Sequence, residues 1–212
     1  MSTLTTTQLQ QQYIAYFGRP GDPAGIKYWL DSGLTEKSFA EKIHAQDEYQ
    51  KSTVGSKSTE SQVNDLYLNL FGRSADAKGL LYWTAEVEAG RKALSSLALD
   101  LIWSASNPTT ANSTQGAADA AALANKVASA KAFTTDVEAS TDAMLAYQPE
   151  ATGAAFKTGA AFDSAKTWLT GITTDAATAA NFTNILDADI NAVDGDGNIV
   201  GDYATAAVGD DT

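Results

Sequence analysis

Four side chains near the end of the chain, Asp194, Asp196, Asn198 and Asp202, are spaced as oxygen ligands of a hard cation would be. They fall in the segment AVDGDGNIVGD, residues 192–202. Set against an EF-hand loop, Asp194, Asp196 and Gly197 take positions three, five and six, and Ile199 takes position eight. The ends depart from the pattern. Ala192 stands at the first ligand position and Tyr203 at the twelfth, where a bidentate Glu belongs. The segment therefore reads either as a weak calcium site or as a solvated Asp-Gly turn. Calcium is the cofactor these residues would take.

The second set of chemistry-bearing residues occurs twice. Residues 13–29, YIAYFGRPGDPAGIKYW, and 67–83, YLNLFGRSADAKGLLYW, match without a gap at an offset of 54. Arg19 pairs with Arg73, Asp22 with Asp76, Gly25 with Gly79, Tyr28 with Tyr82 and Trp29 with Trp83. Exposed aromatic rings stack on the C–H faces of sugars, and arginines hold carboxylates or phosphates. Tyr28, Tyr82, Arg19 and Arg73 are thus the candidate polysaccharide contacts. A repeated motif is first a folding motif, however. The arginines fit a pair that fixes the turn, and the aspartates fit helix N-caps. Gly25 and Gly79 fit close packing in a first helical turn, and Trp29 and Trp83 fit an apolar core.

Catalytic chemistry finds little to use. His44 is the single histidine and reads as a solvent-facing helix residue. Cysteine is absent. No GxSxG, HExxH or phosphate loop occurs. Paired carboxylates such as Glu86 and Glu88 are unremarkable in an acidic chain, so a non-enzymatic role is expected. A glycosidase would need a cleft with two facing carboxylates.

The elements that position these residues are helices. Thr7 with Gln10 and Thr59 with Gln62 have capping-box spacing. Leu9, Tyr13, Tyr16 and Phe17 form one helical face, and Gly18 is a C-terminal stop. Asp22 and Pro23 open a second helix, which ends near Gly33. Thr35 caps a third, with Phe39 and Ile43 inside. The second copy repeats the plan, and its third helix is AGRKALSSLALDLIWSAS. We expect an all-α fold of tandem helical repeats in a multi-helix bundle, with further helices and an irregular Gly/Asp-rich tail. The repeat domain spans 1–107, with copies at about 7–53 and 59–105, and a polar loop covers 106–116. An Ala/Thr/Asp-rich helical region packed on the first spans 108–190. Within it, Leu123, Val127 and Ala130 mark one helix, Thr135 caps another ending near Tyr147, and 163–169 and 175–190 are helical. Residues 191–212 form an acidic tail or a linker to a further C-terminal part.

The 212-residue chain can bury a real core, and its 44% hydrophobic content fits a folded protein. The net charge of −12 is uneven. Residues 1–110 hold 12 acidic and 10 basic side chains, whereas 136–212 hold 13 acidic and only Lys157 and Lys166. Such a surface repels nucleic acid and anionic lipid and suits divalent cations. The first residues lack a basic n-region and a long apolar run, so neither a cleavable signal peptide nor a transmembrane segment is expected.

The doubled FGRxxDxxGxxYW resembles the helical domain of unknown function that recurs in bacterial, often cyanobacterial, surface-layer and RTX-type secreted proteins. The likeness spans about residues 9–105 and extends loosely to 135, where LANKVASAKAFT (123–134) resembles a stretch found downstream of that domain. The plan is similar to the N-terminal anchoring region of a surface-layer protein exported by a type I system. That resemblance implies an extracellular, cell-surface location. It implies binding to lipopolysaccharide or another surface polysaccharide, with calcium support, and contacts with copies of itself in a lattice. A protein–protein assembly or spacer module without a sugar ligand is the alternative. Glycine–aspartate nonapeptides, which that family carries, are not in this sequence.

Overall fold

The computed structural model describes residues 4–51, 56–109, 113–139, 143–144, 147 and 160–175. Among these there are nine helices and no strand. They are α1 (Thr6–Phe17), α2 (Pro23–Leu30), α3 (Glu36–His44), α4 (Asp47–Gln50), α5 (Thr59–Phe71), α6 (Ala77–Glu88), α7 (Leu94–Ser106), α8 (Ser113–Ala139) and α9 (Ala160–Thr170). The fold is all-α, with the helices packed on one another.

The turn chemistry explains most of these boundaries. Gly18 and Gly72 end α1 and α5 with φ of 67° and 70°, where a Cβ is disfavoured. Asp22 and Asp76 cap α2 and α6, their carboxylates accepting from the amides of Gly25 and Gly79 at 2.7 and 2.9 Å. Thr35 caps α3. Two caps differ from the sequence expectation. Thr5, not Thr7, makes the capping box of α1, with Gln8 as its partner. Ser58, not Thr59, caps α5. Gln62 instead accepts from the Tyr49 hydroxyl and donates to the Lys57 carbonyl. In each case an equally good cap stood one or two residues upstream, which spacing alone did not rank.

The first copy is α1–α4 and the second α5–α7. Helices α1 and α5 pack against each other, and α8 lies across α1, α5 and α7. Asn69 on α5 donates to the Ala15 carbonyl on α1 at 2.9 Å, and 15 and 69 are equivalent positions. The repeat thus meets itself near its own matching residues. Helix α6 has 12 residues where α2 has eight, one additional turn. After it, Leu97, Ala98 and Leu101 match Phe39, Ala40 and Ile43 at an offset of 58, and all six are buried. Helix α7 is continuous where the first copy breaks into α3 and α4.

The core runs through all three parts. Leu9, Ile14, Tyr16, Phe39, Leu66, Leu70, Leu97, Phe133 and Leu169 are buried in it. Each such side chain contributes about 1.5–3 kcal/mol. The Tyr16 hydroxyl donates to the Leu94 and Ser95 carbonyls, tying α1 to the start of α7. Phe133 stacks on Trp168 and meets Tyr147 edge-on, which ties α8 to α9. The helix expected to start at Thr135 is not separate. Thr135 lies inside the 27-residue α8, its hydroxyl bonded back to the Lys131 carbonyl. The expected helix at 175–190 lies outside the described residues but for its first. No described helix is long and apolar enough to cross a membrane.

Candidate functional site

The doubled motif builds two turns of one design. In the first, Arg19 sends Nε and a terminal nitrogen to the two oxygens of Glu48 on α4, at 2.6 and 2.7 Å. A third donor goes to the Pro20 carbonyl at 2.9 Å. The guanidinium lies against Tyr13, Phe17 and Tyr147, 5.3–5.7 Å from their ring centres. In the second, Arg73 makes the same fork to Asp119 on α8, at 2.7 and 2.6 Å, and bonds the Ser74 carbonyl at 3.0 Å. Tyr67 and Phe71 stack on it at 5.2 and 6.0 Å. The side chain of Arg19 is 3% exposed and that of Arg73 is 27% exposed. Burial opposes the charge of Arg19, yet Glu48 outweighs it and holds the group above the ordinary arginine value. The hydrogen-bonded Asp119 does the same for Arg73. Both arginines are therefore placed in bidentate pairs that fix the turn, and only Arg73 keeps an edge toward solvent.

A second clamp backs each turn. Gln10 accepts from the Gly21 amide at 2.9 Å, and its equivalent Asn64 accepts from the Ala75 amide at 3.0 Å. The two glycines of the motif face the buried tyrosines. A Cβ on Gly25 would sit 2.5 Å from the Tyr13 hydroxyl, and one on Gly79 would sit 2.9 Å from that of Tyr67. These approaches account for glycine in a first helical turn. Trp29 and Trp83 are half-buried and packed against the core.

Tyr28 and Tyr82 stand outward, 66% and 54% exposed. Each meets its neighbouring tryptophan edge-on, at 4.9 and 4.8 Å. The result is a repeated platform: an exposed tyrosine braced edge-on against a tryptophan that packs on the core. The two platforms do not close one cleft. Helix α2 packs on α1 and α8 and helix α6 on α5, with no packed interface between α2 and α6. A cleft of about 570 Å³ does open, between α2 and α8. Its polar lining includes Lys27, Asp31, Lys131 and Glu138, which balance in charge, and none of the expected ligand residues lines it.

Residues 40–110 match the model of a family described as Domain of unknown function (DUF4214). The match covers a third of the chain, from within α3 to just past α7. It holds the whole second copy and only the end of the first, whereas the resemblance read from the motif spans both. No curated protein and no solved structure matches the chain.

The calcium candidates Asp194, Asp196, Asn198 and Asp202 lie outside the described residues. Among the described ones, no three acidic or histidine side chains gather as a metal site would require. His44 differs from expectation. It is half-buried, 4.7 Å from the Tyr49 ring and 5.7 Å from that of Tyr16, and burial lowers its pKa. The reason is the break after α3, which folds Tyr49 back over it.

Sequence reasoning missed the partners of the arginines. Glu48 lies 29 residues after Arg19, and Asp119 lies 46 after Arg73. Unequal spacings hide from a repeat. It also missed Lys126, a buried cation on α8 that donates to the Asn69 and Leu68 carbonyls at 2.7 and 3.4 Å. Burial pushes its pKa down to about 8. By contrast, Gln10 and Asn64 stand at the repeat offset and share an amide, a signal that was available.

Proposed function

We propose that this chain is a non-enzymatic cell-surface anchoring module that binds an outer-membrane polysaccharide such as lipopolysaccharide. The observation that carries the proposal is the twofold presentation of an exposed tyrosine on a braced tryptophan. A platform built twice, on equivalent helices, places aromatic faces in solvent with little freedom to collapse. Fixed rings of this kind offer a flat apolar face to pyranose C–H groups at small entropic cost. The doubled motif and its likeness to surface-layer and RTX-type sequences support the extracellular setting. Calcium enters this proposal through the sequence alone, as an ion held by Asp194, Asp196, Asn198 and Asp202 that would bridge acidic groups to glycan phosphates.

Co-sedimentation of the chain with purified lipopolysaccharide, in calcium buffer and in EDTA, tests the proposal. Retention in calcium is expected, with loss on the double change Tyr28→Ala and Tyr82→Ala. No retention of the unaltered chain in calcium would remove this function.

A lattice-assembly module is the second reading. It is favoured by apolar side chains that the second copy leaves in solvent, Leu81 at 72% and Trp103 at 66% exposed. Concentration-dependent self-association in sedimentation velocity, without polysaccharide, would favour it.

A further inference from the structure

The two platforms differ in what surrounds them. Tyr82 lies on α6 one turn before Glu86, on the same helical face. Glu86 Oε1 accepts two bonds from Arg91, at 2.7 and 2.9 Å. The next residue, Lys92, pairs with Asp100 on α7 at 2.8 Å. Trp103 follows Asp100 by three residues on the same side of α7. Tyr82 thus stands one turn before the Glu86–Arg91 pair, Lys92 carries the strip from the loop after α6 to Asp100 on α7, and Trp103 stands one turn beyond Asp100.

The strip is held in shape from below. The Glu86 carbonyl accepts the backbone amides of both Arg91 and Lys92, at 3.0 and 3.1 Å. Gly90, with φ of 69°, permits that turn. Each ion pair spends only part of its hydrogen-bonding capacity. Among the described residues, Glu86 Oε2, Asp100 Oδ2 and one terminal nitrogen of Arg91 have no protein partner. Two exposed rings thus flank a row of fixed donors and acceptors.

We infer that this strip of the second copy, Tyr82, Glu86, Arg91, Lys92, Asp100 and Trp103, is a glycan-binding surface, the rings stacking on pyranose faces and the ion pairs bonding hydroxyls. The inference rests on the anchoring proposal and narrows it to one copy. The first copy has no such strip. Ala45 stands where Trp103 does, and α2 lacks the additional turn that carries Glu86. A protein partner fits the strip poorly, because protein interfaces exclude charge from their centre, and here the charges separate the rings.

The test measures binding of the intact chain and of single variants Trp103→Ala, Tyr82→Ala and Tyr28→Ala. The probes are purified lipopolysaccharide and, separately, the lipid-free polysaccharide released from it. All three side chains are exposed, so thermal unfolding stays close to that of the unaltered chain and reports any folding defect. The inference expects binding to both probes to weaken about tenfold or more in Trp103→Ala and Tyr82→Ala, with little change in Tyr28→Ala. Loss in Tyr28→Ala alone, or full binding by Trp103→Ala, overturns the inference and leaves the anchoring proposal standing. Failure of the unaltered chain to bind either probe overturns both. Self-association that Trp103→Ala abolishes, with glycan binding intact, overturns the inference in favour of a lattice contact.

Discussion

In the first copy the arginine is sealed, and in the second it is half open. Three rings and a carboxylate from α4 close over Arg19, whereas Arg73 has two rings and a carboxylate borrowed from α8. The helix ends differ in the same way. The last turn of α1 is met at the Ala15 carbonyl by the neutral amide of Asn69, and that of α5 by the buried cation of Lys126. The first copy thus supplies its own carboxylate, while the second takes its carboxylate and its helix-end donor from α8; α8 still reaches the first turn, where Thr134 donates to the Gly21 carbonyl. One motif can keep its local geometry while its partners change, because the turn requires a carboxylate and a helix-end donor, not a particular element to supply them.

The largest test of this contrast is removal of each carboxylate. Glu48→Ala takes the bidentate partner from a buried guanidinium that keeps the Pro20 carbonyl and a more distant Asp22, and costs about 3 kcal/mol in urea denaturation. Asp119→Ala leaves Arg73 within reach of water and costs about 1–2 kcal/mol. Equal losses would break the comparison by showing that both turns are equally dry.

The second test is pH. An unfolded lysine titrates at 10.5, and Lys126 in the folded protein at about 8. Between those values the unfolded chain binds the additional proton, so stability rises with pH. The gain reaches about 2 kcal/mol by pH 9.5. Above about pH 10 it is opposed, because burial raises Tyr13, Tyr16, Tyr49 and Tyr147 and unfolded tyrosines ionise first. Lys166, also lowered by burial, adds the same sign. The reading is therefore the difference between the unaltered chain and Lys126→Met, which flattens the rise. An unchanged slope in Lys126→Met would show that the cation at the end of α5 is not the sensitive group.

The smallest expected effect sharpens the comparison inside the core. Gln12 and Leu66 are equivalent and both buried, but neither polar atom of Gln12 has a partner among the described residues. Gln12→Leu removes two unmet groups at similar volume and raises stability by about 1–2 kcal/mol, read as a higher urea midpoint. A lowered midpoint would show that water satisfies the amide.

Legibility followed the range of the interactions. Gly18, Asp22, Pro23 and Thr35 announced helix ends because their bonds close within four residues. The buried faces of α1 and α5 were readable as spacing. Asp119 was not, since its role depends on how α8 lands. His44 was misread because a short break in the chain turned Tyr49 back over it. Thr135 resembled a cap because caps and mid-helix threonines use the same hydroxyl, and only the length of α8 separates them. The exposed platforms were half legible. Tyr28 and Tyr82 do reach solvent, as a sugar contact must, but the strip beside Tyr82 needed Lys92 to join the loop after α6 to Asp100 on α7.

The sequence by itself determined the repeat, the helical class and the close-packed glycines, because these follow from backbone geometry and from contacts within one motif. The tertiary structure alone decided which carboxylate answers each arginine and which buried lysine closes α5. It also decided which copy surrounds its tyrosine with fixed polar groups. Those outcomes depend on segments that are separate in the chain and meet only once the helices have packed. The physical reason is one additional helical turn in α6 and one break after α3. Each is small in the sequence, and each redirects the side chains that follow it.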